Sequence, residues 1–250
     1  AAVAILNDWA KTCTGFIVND KGEFIDPNEF LIFIQVHQIA NAAEIMRSYS
    51  GWQEADFVKF KAWIADVFYP HITKFLSTHN GNECALHYWL NWDLSAMTAL
   101  LSIGILADDN FKINEAIQYF KFGIGSGNIG NGVPFIHLDL DSNEMLGQCQ
   151  ESGRDQGHAT LCVSLLGAFC QMAKNVGEDL FIFDDGRALA MCEYVAKYNI
   201  GSAETGSSSA SWKMTGFRYT DNDLPYTTYT NCSGSWDTIS AQERGKGFTW

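Results

Sequence analysis

Between Leu161 and Ala173 the apolar residues Leu161, Cys162, Leu165, Leu166, Phe169, Cys170 and Ala173 recur at i, i+3, i+4 and i+7. That spacing lays one apolar stripe along a buried amphipathic helix. Helical signals recur along the chain, whereas strand patterns are nearly absent, so the reading is an all-α protein of successive antiparallel helix pairs. Helices are expected over residues 1–13 and from Asp26-Pro27, an N-cap followed by proline at the first helical position, to Tyr49. Another is expected over 53–67, broken at Tyr69-Pro70 before a shorter segment to Leu76. Further helices should run from the stretch 87–93 to Leu106, from the Asp108, Asp109, Asn110 cap to Phe122, from near Ala159, and over 180–198. Residues 123–132 are glycine-rich and read as loop, continuing irregularly to Asn143.

With 250 residues, 47% of them hydrophobic, the chain can bury a substantial core. One domain over 1–250 is expected, with residues 199–250 an irregular segment rich in Gly, Ser and Thr. The formal net charge of −13 argues against a nucleic-acid partner, because phosphate affinity needs clustered Lys and Arg. It would also repel a polyanion, so an anionic substrate must be drawn in by a local basic patch. The cysteines show neither a CxxC pair nor zinc-type spacing, and no metal or cofactor is expected. Cys162 and Cys170 fall on the apolar helix face and read as small core residues. No run of about 18 apolar residues stands out, so no membrane span is expected. Oligomeric state is left open.

The polar residues gather in two places. The stretch 148–158, Gln148-Cys149-Gln150-Glu151-Ser152-Gly153-Arg154-Asp155-Gln156-Gly157-His158, runs straight into the apolar helix. If helical, it puts Arg154 and His158 on one face, with Glu151 and Asp155 as an acidic stripe beside them. A capped, solvated helix N-terminus would read the same way, but Gly153 and Gly157 remove side chains where something could approach the backbone. The second place is Asn91 with His87, Tyr88, Trp89 and Trp92 around it, an amide among rings that suits a sugar carboxylate or, equally, a helix start with buried aromatics. A third polar stripe, His37, Gln38, Asn41 and Glu44, reads as a cleft wall or a solvent face.

Taken together, His87-Tyr88-Trp89-Leu90-Asn91-Trp92-Asp93-Leu94 and Glu151-Ser152-Gly153-Arg154-Asp155-Gln156-Gly157-His158 resemble the alginate lyases of polysaccharide lyase family 38. The likeness extends to Asn7-Asp8-Trp9-Ala10, to Asp26-Pro27-Asn28-Glu29-Phe30 and to Pro225-Tyr226-Thr227-Thr228-Tyr229, and so spans essentially the whole chain. The resemblance implies an (α/α) toroid or incomplete α/α barrel whose cleft binds an acidic polysaccharide, alginate first and glucuronan second, and cuts it by β-elimination. It also implies further helices beyond Arg244, so that the chain would be C-terminally incomplete, and a secreted or periplasmic location suited to a polymeric substrate.

Elimination makes definite demands. The C5 proton of a uronate is too weakly acidic to leave until its carboxylate is neutralised; a base must take it and an acid must protonate the departing oxygen. By resemblance Asn91 and Arg154 neutralise the carboxylate, and His158 is the leading base, since an ordinary imidazole titrates near neutral pH. The acid is a tyrosine, with Tyr226, Tyr229 and Tyr88 all open. Substrate binding falls to His87, Tyr88, Trp92, Gln38, Asn41, Gln150 and Glu151, with Glu151 and Asp155 also orienting Arg154 or His158. Two rivals share the surface features: a glycoside hydrolase pairing Glu151 with Asp155, and a non-catalytic carbohydrate-binding protein.

Overall fold

The computed structural model describes residues 1–15, 33–79, 86, 88–140, 142–153 and 156–199. Its elements are α1 (Ala2–Thr12), α2 (Phe33–Met46), α3 (Glu54–Thr78), α4 (Leu90–Ala107), α5 (Asn110–Phe122), α6 (Ile129–Gly132), β1 (Phe135–Leu138), β2 (Met145–Gln148), a 3-10 turn (Gln150–Gly153), α7 (Gln156–Asn175) and α8 (Phe183–Asn199). The fold is all-α, with one short hairpin among the described residues.

Helix α4 is the axis. It packs against α2, α3, α5 and α7, and every residue from Leu90 to Gly104 is buried. A helix that is apolar all round has to be enclosed in this way. Small residues let the neighbours close in: a side chain at Gly104 would put its Cβ 2.9 Å from the Ile113 nitrogen of α5. The buried hydroxyls of Ser95, Thr98 and Ser102 return to carbonyls of the same helix, on Trp92, Leu94 and Ala99, so none needs water. By length and composition α4 is also apolar enough to cross a membrane, with a mean hydropathy of 1.4, yet 89% of that window is buried inside the protein. The expectation that no such run exists is corrected, and burial explains the composition.

Three other expectations change. The break at Tyr69-Pro70 is not made: α3 continues from Glu54 to Thr78 with Pro70 inside it. Pro70 is exposed, while Phe57, Phe60, Ile64, Phe68, Ile72 and Phe75 keep one buried stripe in phase across it, so packing outweighs the missing N–H. The stretch 133–143, expected to be irregular, contains β1, which pairs antiparallel with β2 from Phe135 opposite Gln148 to Leu138 opposite Met145. Strands of four residues are too short for an alternation to register. The helix expected over 180–198 begins with Asp184, Asp185 and Gly186 at positive φ, so its regular turns follow Gly186.

Other boundaries fall where the caps put them. Asp109 accepts from the Phe111 and Lys112 nitrogens at 3.0 and 3.2 Å and opens α5. At the other end of α3, His79 takes a left-handed φ of 43° and closes the helix through its N–H on the Phe75 carbonyl.

Candidate active site

The N-terminus of α4 carries Asn91, which is 1% exposed and whose Oδ1 has no hydrogen-bond partner among the described residues. Tyr88, half-buried, and Trp92, buried, meet with ring centroids 5.0 Å apart, and Phe75 of α3 packs on both. The aromatic residues expected beside Asn91 thus form a wall that is continuous with the core.

The second polar stretch comes to the same place. Gln150, at the start of the 3-10 turn, donates from Nε2 to Ser126 Oγ at 3.0 Å, and Ser126 donates to the Tyr88 carbonyl at 2.8 Å. Two hydrogen bonds therefore tie the turn that leads into α7 to the residue just ahead of α4. Glu151 is fully buried within that turn, and Cys149 lies against Ser152 at 3.3 Å between Sγ and Oγ. Burial pushes the Cys149 thiol up to about 11, so it stays protonated and inert at neutral pH. His158 is half-buried in the first turn of α7. Gln148, at the end of β2, lies 3.2 Å from His137 Nε2 through its Oε1.

Beneath Asn91 lies a cluster that spacing did not reveal. Asp93, fully buried and two residues further along α4, receives the Tyr119 hydroxyl at 2.9 Å and the Gly127 N–H at 2.8 Å on Oδ2. His79 Nε2 approaches Oδ1 at 3.1 Å. Burial first, and the Asp93 charge next, push the Tyr119 phenol far above its usual range, so it remains a donor. A Cβ at Gly125 would stand 2.4 Å from Asp93 Oδ2 and 2.6 Å from His79 Nε2, so the loop can wrap the carboxylate only as glycine. This cluster anchors the segment that carries Ser126. Its members come from α3, α4, α5 and a loop, and the one local hint was the glycine pair flanking Ser126.

The remaining expected residues fall elsewhere. On α2, Gln38 is exposed and Asn41 half-buried, and no hydrogen bond links either to the Asn91 and Gln150 cluster. His37 of the same stripe is buried, against a plain solvent face. His87, Arg154, Asp155, Tyr226 and Tyr229 lie outside the described residues. Among the described residues no group of three His, Cys, Asp or Glu side chains could hold a metal ion.

Comparison with known proteins agrees with the motifs. A family model described as alginate lyase matches residues 2–205, which include both polar stretches. No curated protein and no solved structure matches the chain. A match over most of the chain sets aside the hydrolase and the non-catalytic readings: the chain belongs to the alginate lyase family, and is a polysaccharide lyase.

Proposed function

We propose that this lyase cleaves alginate by β-elimination between the N-terminus of α4 and the 150–158 segment. One observation carries the reading: Asn91, buried with a polar atom left over, is joined through Tyr88, Ser126 and Gln150 to the turn that runs on to His158. A buried amide without its full set of partners is costly in a plain core and useful in a site that a substrate completes.

In this reading the Asn91 Nδ2–H group and the Arg154 guanidinium bind the uronate carboxylate and stabilise the charge that develops when the C5 proton leaves, while Asn91 Oδ1, which a carboxylate cannot satisfy, is left for a sugar hydroxyl. His158 takes the proton, and a tyrosine returns one to the leaving oxygen; Tyr88 is the tyrosine that lies beside Asn91 in the chain. Glu151, three residues before Arg154, orients Arg154 or His158 from its buried position. Tyr226 and Tyr229, beyond the residues matched by the family model, stay as further candidates for the acid. We assign the enzyme an (α/α) toroid and a secreted or periplasmic location, the first from the motifs quoted above and the second from the size of the polymer.

The test is a continuous ultraviolet assay on alginate, glucuronan and a neutral glucan. Elimination leaves an absorbing unsaturated end, and the expected result is a rise on alginate, a smaller one on glucuronan and none on the glucan. Asn91→Ala and His158→Ala should each lower kcat by roughly a hundredfold or more while the far-ultraviolet dichroism of the fold is kept. Full activity in both variants would remove the site from this part of the molecule.

A further inference from the structure

Ser126 is fully buried in the loop between α5 and α6, with its Oγ between two partners, the Tyr88 carbonyl at 2.8 Å and Gln150 Nε2 at 3.0 Å. A carbonyl only accepts, so the one hydroxyl proton of Ser126 is committed to Tyr88. Toward Gln150 the serine can only accept. The Gln150 amide is therefore held with its nitrogen on Ser126, and its oxygen has no choice but to point elsewhere. That oxygen is buried and has no hydrogen-bond partner among the described residues.

A lone buried acceptor destabilises a fold by about 1–3 kcal/mol. Here the arrangement is actively maintained: Asp93 holds the Gly127 N–H at 2.8 Å, Gly127 fixes the loop, and the loop fixes Ser126. A second lone acceptor, Asn91 Oδ1, lies three residues past Tyr88. Acceptors of this kind call for donors. The carboxylates of a uronate polymer are ionised at neutral pH and offer none, whereas its ring hydroxyls offer one each.

We propose that Ser126 is a positioning residue that orients Gln150, and that Gln150 Oε1 accepts a hydrogen bond from a ring hydroxyl of the bound uronate. Gln150 is then a specificity-determining residue that recognises the sugar rather than its charge. The assignment rests on the active site proposed above.

The experiment measures kcat and KM on alginate, together with the thermal midpoint, for the full chain and for Ser126→Ala, Gln150→Ala and the double variant, with Asn91→Ala as control. A hydroxyl contact made equally in the ground and transition states appears in KM. Each single variant should raise KM about tenfold with kcat little changed, the size expected for one hydrogen bond. The double variant should be no worse than Gln150→Ala, because both remove the same contact. A Ser126→Ala variant that loses thermal stability while keeping its KM overturns the proposal, as do single effects that add in full. If Asn91→Ala is inactive while Gln150→Ala matches the unaltered enzyme, this inference alone falls. If Asn91→Ala is fully active, the site itself is misplaced and the inference goes with it.

Discussion

Asp93 collects more donors than a helical carboxylate needs: a phenol, a backbone N–H and an imidazole nitrogen, all inside the protein. Together they satisfy a carboxyl group where water cannot reach it. Tyr119→Phe removes one of them and should destabilise the fold by about 1–3 kcal/mol in chemical denaturation. His37 shows the opposite solution. It is buried on α2, and desolvation holds its imidazole below the ordinary value near 6.5. The folded protein resists a proton that the unfolded chain accepts, so this contribution is complete above about pH 6.5 and fades as the pH falls through the depressed folded value. His71 is shifted in the same direction, again by desolvation. The thermal midpoint should therefore fall on acidification from pH 7 to pH 5, and His37→Leu should fall less steeply over that interval. Single residues were legible when their role was apolar: Cys162 and Cys170, read as core, are both fully buried. Ser126 was not, because nothing in a serine between two glycines tells which distant groups it will join.

At the level of elements, legibility followed length. Helices α1, α4, α5 and α7 were legible, α5 by its cap and α7 by its apolar period, while the β1 and β2 hairpin was missed because four residues per strand hold too little pattern. Pro70 is the instructive error. Local chemistry ends a helix there, yet α3 passes through because its buried stripe on the far side continues to Leu76. Pro70 is exposed and supplies no core contact. Pro70→Ala should thus stabilise the protein, by roughly 1–2 kcal/mol once the stiffer unfolded chain of the proline form is allowed for. A lowered midpoint in urea would mean that the stiffer unfolded chain of the proline form outweighs the missing hydrogen bond.

Across the whole molecule the two polar stretches were visible in the sequence, but their meeting was not, since a hydroxyl and a backbone carbonyl join them rather than any spaced motif. The net charge of −13 belongs to this scale as well. Enzyme and alginate repel each other at long range, and salt weakens that repulsion over a screening length of about 10 Å at 0.1 M. kcat/KM should consequently rise as sodium chloride is added from low ionic strength toward about 0.1 M. A steady decline from the lowest salt would show that local cations govern the encounter instead.

Helix α4 has one more consequence, for how the chain is made. It offers water no face of its own, and the helices that cover it are split in sequence: α2 and α3 precede it, α5 and α7 follow. While a ribosome has delivered the chain only as far as the end of α4, half of this greasy rod is bare, and it stays partly bare until α7 has left the exit tunnel. Nascent chains stopped between α5 and α7 should be the ones that chaperones hold and that aggregate when released.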